Sequence, residues 1–173
     1  MADQHTDKLR VQTIDDLSIV SLRVAKSCLD DARERLDLAE PLRASERDPR
    51  SLWLGPDRWL LVGSTDTPGI LLDSCKQELT GILHHAVDYS SALSTQKVTG
   101  KNAWQLLASG TSIDLRPEHF RVGSCCRTRL AQVAAVIVAD GTDAFSVHVD
   151  GSYAAYLAEW FAESINIYES RFN

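Results

Sequence analysis

The stretch LWLGPDRWLLVG, residues 52–63, decides the fold class, because two apolar runs flank Gly55-Pro56-Asp57. Gly, Pro and Asp dominate tight turns, so this pattern predicts a β-hairpin. The second run is apolar at every position, with Trp59 and Leu61 on one face of the strand and Leu60 and Val62 on the other. A strand that is exposed on one face alternates with polar residues, so we expect this hairpin to be covered on both faces. Either the chain's own helices and lobes provide this cover, or another protein covers one face.

Helix and strand patterns alternate on either side of the hairpin. Upstream, residues 17–25 predict a strand, and Ser27 with Asp30 forms a capping-box pattern ahead of a helix. Downstream, Thr67-Pro68 predicts a helix start, because proline is favoured at the first helical position. One apolar side of that second helix is expected to contain Leu72, Cys75, Leu79, Ile82 and Leu83.

The second half of the chain continues this alternation. Strands are predicted at residues 84–89 and 92–98, and residues 124–138 hold either one bent strand or two. Asp140-Gly141 predicts a turn into another strand. Two helices are predicted from apolar spacing, a short one with Ala103, Leu106 and Leu107 and a final one with Tyr153, Leu157, Trp160 and Phe161.

These elements predict an α+β fold with helices packed on a largely antiparallel sheet. Residues 1–12 form a polar N-terminal segment that we expect to be frayed, and residues 13–173 are expected to form a single compact domain. A division of that domain into two small lobes near residue 90 is the open alternative.

Composition excludes several classes of function. The net charge is −6, and 18 basic residues are scattered among 24 acidic ones, so we expect no nucleic-acid partner. No apolar stretch approaches the roughly 20 residues needed to span a bilayer, and the N-terminus lacks the apolar run of a signal peptide. We therefore expect a cytoplasmic protein without a membrane partner, whose four cysteines stay reduced.

Few residues suggest chemistry. Adjacent residues on a strand point to opposite faces, so neither Cys125-Cys126 nor His84-His85 can easily converge on one metal ion. Cys28 and Cys75 lie on predicted apolar helix faces, and His119 and His148 are isolated. Arg127 and Arg129 leave a redox role for the cysteine pair open, since cations lower a thiol pKa.

Two polar stretches have structural alternatives. GSTDTPG, residues 63–69, could hold an anion at a helix start, but we favour the simpler interpretation that Thr67 caps the helix beside a proline. Asp88 and Ser90 suggest a hydrolase, but no histidine occurs at a recognisable spacing from them. The motifs of nucleotide-binding loops and of nucleophile elbows do not occur in the sequence.

Three stretches in order carry a family resemblance. Residues 52–63 contain Leu-Gly-Pro-Asp-x-Trp-Leu, and residues 87–115 contain Asp-x-Ser, Ala-x-x-Leu-Leu and Gly-x-x-x-Asp-Leu. Residues 120–140 contain Gly-x-Cys-x-x-Thr-x-Leu-Ala. Together they resemble the gamma subunit of heterotetrameric sarcosine oxidase. The run DYSSAL, residues 88–93, departs from the polar run expected there, and the N-terminal third carries no matching motif.

The resemblance implies a fold similar to a lobe of the folate-binding glycine-cleavage T-protein. It also implies an assembly with alpha, beta and delta subunits, in which FAD, FMN, NAD and tetrahydrofolate bind to other chains. The family's gamma subunit supplies no catalytic side chain, binds no cofactor or metal itself, and packs on the folate-binding alpha subunit. In this reading Cys125 falls at the family's strand cysteine and is structural.

Two other readings stay open. In the first, the chain is a stand-alone protein that binds folate or transfers one-carbon units with it. In the second, it is a small interaction protein for an unrelated partner. A T-protein-like enzyme has about twice this length, which disfavours the folate reading. If the chain is a subunit, the apolar C-terminal residues Ile167, Tyr168 and Phe172 are the candidates for the partner interface, because aromatic anchors dominate such surfaces.

Overall fold

The computed structural model describes residues 8–64 and 69–172, except for the side chains of residues 171 and 172. The chain forms two compact units. Unit 1 comprises the described parts of Met1–Ile14, Ser94–Val122 and Arg127–Asn173. Unit 2 comprises those of Asp15–Leu93 and Gly123–Cys126. Each unit contains its own antiparallel sheet with helices, as the α+β prediction requires.

Unit 2 is built on a four-stranded sheet in the order β3-β4-β2-β5. All three pairings in it are antiparallel. The strands are β2 (Ser18–Val24), β3 (Arg50–Gly55), β4 (Arg58–Gly63) and β5 (His84–Asp88), and the helices are α1 (Leu29–Arg35) and α2 (Ile70–Glu78). The hairpin predicted at residues 52–63 is confirmed as β3 and β4, joined through Pro56-Asp57.

One face of this sheet forms the core of unit 2. Alternate residues of β2 and β4 point to the same face, and they pack with Ala32 of α1 and the buried residues of α2. Trp59 is fully buried in this core, and its indole N–H donates to the Ala39 carbonyl at 2.9 Å. The buried sheet and helix residues are Val20, Leu22, Val24, Trp59, Leu61, Ala32, Leu71 and Cys75.

Unit 1 contains a five-stranded sheet in the order β1-β6-β9-β8-β7. Its strands are β1 (Arg10–Ile14), β6 (Leu93–Thr99), β7 (Cys125–Leu130), β8 (Val133–Gly141) and β9 (Ala144–Asp150). Its helices are α3 (Ala103–Ala108) and α4 (Ala154–Phe172), which contact each other, while α3 also contacts β9. The core residues include Val98, Leu107, Phe145, Val147, Leu157 and Phe161.

The segment 124–138 holds two strands rather than one bent strand. β7 and β8 are joined at Ala131 and Gln132, whose φ angles are 48° and 71°. Positive φ at both central residues is the geometry of the two-residue turns that connect antiparallel strands. No Gly or Asn marks this turn in the sequence, which is why the sequence leaves both possibilities open.

The N-terminal strand begins earlier than composition suggests. Residues 10–12 are expected in the polar frayed segment, but they belong to β1, where Arg10 pairs with Thr99. Gly100, at φ 114°, permits this close approach of the two segments, because a Cβ atom at this position would lie 2.3 Å from the Lys8 carbonyl oxygen. Pairing with a distant strand orders a polar sequence that has no local tendency to fold.

Two helix predictions are wrong at their ends. Ser27 does not cap α1, because a short 3-10 turn, Lys26–Cys28, precedes the helix and no side-chain cap is formed. Leu83 does not lie on the apolar side of α2, because the helix ends at Glu78 and Gly81 adopts φ 83°. The Leu83 side chain is 71% exposed as a result.

Two further boundaries differ in the second half. The turn predicted at Asp140-Gly141 lies two residues later, because β8 runs to Gly141 with a register shift and Asp140 accepts a hydrogen bond from Ser146. The C-terminal apolar run predicted beyond the last helix is its continuation, since α4 extends to Phe172. Tyr153 lies in a 3-10 turn before α4 and is exposed.

Candidate functional site

The adjacent cysteines lie at the start of β7 and are both buried. The Cys125 thiol contacts the Trp53 carbonyl at 3.6 Å within unit 2, and its backbone N–H donates to the Leu42 carbonyl at 2.9 Å. None of the four cysteines, all of which lie in the described part of the chain, forms a disulfide. A buried thiol bonded to a carbonyl fills space and reacts poorly.

Cys75 is a thiol whose protonation is strongly affected by its surroundings. It is buried on α2 within the core of unit 2, and burial raises the pKa of its thiol to about 11. Because the thiolate is the reactive form, this cysteine is protonated near neutral pH and unsuited to nucleophilic or redox chemistry.

The histidines occupy separate environments. His84 Nδ1 lies 2.7 Å from the Ile82 carbonyl oxygen, and His85 is exposed on the same strand. His119 Nε2 lies 3.8 Å from the exposed Asp114, and the buried His148 Nδ1 lies 2.9 Å from Thr95 Oγ1. Within the described part of the chain, no group of three or more His, Cys, Asp and Glu side chains is placed to hold a metal ion.

Asp88 and Ser90 form a local structure rather than a nucleophile with its base. Ser90 donates to Asp88 Oδ1 from its backbone N–H at 2.8 Å and from its hydroxyl at 2.6 Å. The hydroxyl oxygen also accepts the N–H of Ile19 at 3.0 Å. These hydrogen bonds from Ser90 hold the pKa of the Asp88 carboxyl below its ordinary value. A carboxylate kept ionised in this way is a poor general base.

Asp114 lies in an exposed ion pair with Arg116. Arg116 donates to both of its carboxylate oxygens, and this bidentate pair holds the Asp114 pKa well below its ordinary range. Both side chains are substantially exposed, so screening by solvent makes the pair a weak contribution to stability.

A cavity of about 160 Å³ lies in unit 1, between the connector after α3 and the β8–β9 turn. It is lined by Leu115, Phe120, Val122, Thr142 and Phe145, with Arg121 beside them. Sites for cofactors and drug-sized ligands usually have volumes of about 300–1,000 Å³. This cavity therefore does not fit a flavin, a dinucleotide or a folate.

The helix start considered for anion binding lies partly outside the described residues. Residues 65–68, which include Thr67 and Pro68, belong to that undescribed part. The first described turn has Gly69 at φ 89° as the residue before α2, without a side-chain cap.

The three interface candidates lie in the last two turns of α4. Ile167 is 54% exposed. Tyr168 is half-buried, and its hydroxyl accepts from Asn102 Nδ2 at 3.0 Å and donates to Gln105 Oε1 at 3.1 Å. The side chain of Phe172 lies outside the described residues. Contact of these residues with a partner stays a prediction.

Sequence reasoning missed an exposed apolar stripe along β5. Leu83, Val87 and Tyr89 are exposed at alternate positions, with His85 between them. The apolar spacing predicts that Leu83 lies on the buried side of the second helix. The pattern of residues 84–89 predicts a strand but does not show which of its faces is exposed. Their period of two was the signal, because residues at that spacing share one face of a strand.

Comparisons with known proteins agree on one family. The model of the sarcosine oxidase, gamma subunit family matches residues 31–166. Sarcosine oxidase subunit gamma from Corynebacterium sp. (strain U-96) is 26% identical over 115 residues, which are 66% of this chain and 55% of that protein. The alignment thus spans about half the length of this curated relative.

Solved structures show the same fold. Heterotetrameric sarcosine oxidase from Corynebacterium sp. U-96, in complex with pyrrole 2-carboxylate, matches with a TM-score of 0.81 at 22% identity. That match covers 91% of this chain and 84% of the other. The glycine cleavage system aminomethyltransferase T from Bartonella henselae matches with a TM-score of 0.67 at 15% identity, covering 91% of this chain and 46% of the other. The expected likeness to a part of the T-protein fold is therefore confirmed.

Proposed function

This chain belongs to the sarcosine oxidase gamma subunit family, and from that membership we propose that it is the accessory gamma subunit of a heterotetrameric, flavin-dependent oxidase. The observation that carries the proposal is the family match over residues 31–166. The matching fold, with a TM-score of 0.81 to a chain of a heterotetrameric sarcosine oxidase, is consistent with it.

The reaction of the assembly is the oxidative demethylation of sarcosine or a similar N-methyl amine. Its products are glycine or the demethylated amine, formaldehyde or 5,10-methylenetetrahydrofolate, and hydrogen peroxide. FAD, FMN, NAD and tetrahydrofolate bind to the other subunits in this proposal. The 160 Å³ cavity of unit 1 is too small for any of these cofactors, which supports placing them on the other subunits.

The role of this chain is to pack on the alpha subunit, with beta and delta as the further partners. Ile167, Tyr168 and Phe172 at the end of α4 remain the proposed contacts. Within the described residues, none of the helices combines the length and the apolar character needed to cross a bilayer. The cytoplasmic location expected from the sequence stays a prediction.

Purification of the tagged chain from its native source tests the proposal. We expect a yellow assembly with three further chains that produces peroxide when sarcosine or another N-methyl amine is added. The matched substrate control is the same amine without its methyl group, and a source carrying the untagged chain controls for non-specific recovery.

The other readings predict different outcomes of the same purification. A colourless single chain that retains tetrahydrofolate would support the stand-alone folate protein. A chain recovered with neither flavin-containing partners nor folate would contradict both proposals and leave an interaction protein of another kind.

A further inference from the structure

Strand β5 is an edge of the four-stranded sheet, with β2 as its one neighbour in the sheet order. At its two ends, the Ala25 N–H donates to the Leu83 carbonyl at 2.9 Å and the Tyr89 N–H donates to the Ile19 carbonyl at 2.7 Å. Hydrogen-bonded positions alternate along an antiparallel strand. The backbone groups that point away from β2 are therefore those of His84, Ala86 and Asp88.

Three of the four exposed side chains on one face of this edge are apolar, and the fourth is His85. Leu83 is 71% exposed, Tyr89 40% and Val87 37%, and they share one face of the strand. We call Leu83, His85, Val87 and Tyr89 the β5 stripe. An edge that offers both unpaired backbone groups and exposed apolar side chains is a template for pairing with another strand.

The other sheet edges in the described part of the chain are protected. The outer side of β3 is covered by residues 43–45, since the Trp53 N–H donates to the Arg43 carbonyl at 3.1 Å and the Ser45 N–H donates to the Ser51 carbonyl at 2.9 Å. Charged residues protect the edges of the five-stranded sheet, with exposed Arg10 on β1 and exposed Arg127 and Arg129 on β7.

β5 has less of either kind of protection, because its one ionised side chain, Asp88, lies at its last position. It contains no Lys or Arg, and none of its outward backbone groups pairs with a backbone group among the described residues. Its carboxylate, Asp88, is held by the N–H and the hydroxyl of Ser90. Among the sheet edges of the described residues, β5 is therefore the least protected against pairing.

We propose that β5 pairs with an extended strand of another subunit of the oxidase assembly, adding a fifth strand to the sheet. The inference rests on the proposed function. The occupant is an extended segment because only such a backbone satisfies outward N–H and C=O groups at every second residue. Its side chains on the face of the β5 stripe are apolar, so that they contact Leu83, Val87 and Tyr89.

A second copy of this chain is the less favourable occupant. Each copy has a net charge of −6, and like net charges oppose association.

Hydrogen exchange of the isolated chain and of the purified assembly tests the pairing directly. The Ala86 amide, which points outward, should exchange at least about tenfold more slowly in the assembly, since pairing protects it from water. If an assembly forms and this amide exchanges as fast as in the isolated chain, the inference is overturned while the proposed function stands. If no assembly exists, both are overturned.

Substitutions separate backbone pairing from general surface effects. Ala86→Pro removes the outward N–H and leaves the hydrogen bonds to β2, and Val87→Lys places a charge in the β5 stripe. Each should weaken assembly at least about tenfold. Ile70→Lys on α2, where the native side chain is 48% exposed, is the matched control and should assemble normally.

The folded state of each variant is checked by circular dichroism. Val87→Lys alters an exposed side chain, so it remains informative if Ala86→Pro does not fold. A folded Val87→Lys variant that assembles with unchanged affinity contradicts the inference. So does light scattering that shows the isolated chain to be a dimer dissociated by Val87→Lys, because β5 then pairs with its own copy.

Discussion

The hydroxyl of Ser90 takes part in two hydrogen bonds that join the ends of β2 and β5. It accepts the N–H of the buried Ile19 at 3.0 Å and donates to Asp88 at 2.6 Å. A serine beside an aspartate suggests catalysis in the sequence, but here both groups are occupied by the backbone and by each other. At the scale of single residues, the polar motif has a structural role.

Replacing Ser90 by Ala should therefore lower stability. The variant leaves the Ile19 N–H without its acceptor, and a buried donor without a partner costs about 1–3 kcal/mol. Urea unfolding measures the change, with Ser91→Ala at the exposed neighbouring position as the control. A Ser90→Ala variant as stable as the control would show that water replaces the hydroxyl at no cost.

The cysteine pair should be dispensable for the chemistry of the assembly. Cys125→Ala with Cys126→Ala removes two buried side chains, so we expect a loss of about 1–3 kcal/mol in stability. The turnover of the intact assembly should not change, because neither thiol belongs to a metal-binding cluster of the described residues and both are buried. Purified assembly carrying both substitutions is compared with the native one. A large fall in turnover at full assembly would restore the redox role left open by Arg127 and Arg129.

At the scale of elements, the β3–β4 hairpin is also held from outside its own turn. The Asp57 carboxylate accepts a hydrogen bond from Arg23 Nε of β2 at 2.9 Å, and its carbonyl accepts the Val24 N–H at 3.0 Å. The hydrogen bond from Arg23 holds the pKa of Asp57 below its ordinary value of 3.8, although burial opposes this. The hairpin turn is thus tied to its neighbouring strand by an ion pair.

This pair makes part of the stability depend on pH. Because the folded-state pKa of Asp57 lies below its unfolded value, its contribution is complete above pH 3.8 and is lost as the pH falls through the folded pKa. Asp57→Asn should cost less than about 1 kcal/mol near pH 7, since Arg23 is exposed, and nothing in strong acid. Urea unfolding of both proteins across this pH range gives the comparison. A cost that does not depend on pH would assign the effect to packing.

Elements with strong local patterns can be predicted from the sequence. The β3–β4 hairpin and α3 are predictable because turn residues and apolar spacing lie within a few residues of each other. The start of β1 cannot be predicted in this way, because it becomes a strand only by pairing with Thr95–Thr99, far along the chain. The position of Leu83 is predicted wrongly, because the apolar spacing of α2 continues to Leu83 whereas the helix itself ends before Gly81, which has a positive φ.

The candidate sites divide in the same way. The sequence is enough to predict that the paired cysteines and the paired histidines lie on strands, where adjacent side chains diverge, and the structure places them on β7 and β5. The open edge of β5 could not be predicted, because it depends on which strand comes last in the sheet. Sheet order is set by contacts between distant residues, and no local pattern records it.

At the scale of the whole molecule, the C-terminal turns of α4 serve two roles. Tyr168 bonds Asn102 and Gln105 of unit 1, whereas Ile167 points its side chain into solvent. Internal stability and partner binding should therefore respond to different substitutions on adjacent residues.

Ile167→Lys should weaken assembly by roughly 2–4 kcal/mol if this surface contains a binding hot spot, without altering the stability of the isolated chain. Tyr168→Phe is the matched comparison, because it should lower that stability by about 1 kcal/mol through lost hydrogen bonds within unit 1. It keeps the aromatic ring that the proposed interface uses, so its effect on assembly should be much smaller than that of Ile167→Lys. Titration of the purified subunits measures assembly, and urea unfolding measures stability. Full affinity of the folded Ile167→Lys variant would exclude Ile167 from the interface.

The division of β7 between the two units has a consequence for biosynthesis. Cys125–Cys126 complete unit 2, and the same strand continues into unit 1 from Arg127. β1, made first, has no partner until Thr99 has left the ribosome, and unit 2 is not complete until Cys126 has followed. At about 5–20 residues per second, the nascent chain carries unpaired strands for several seconds. Unit 2 cannot be completed before Ser94–Val122 of unit 1 has been made, and unit 1 still waits for the chain that follows Cys126. Translation speed and chaperone access to β1 should therefore influence the yield of this protein.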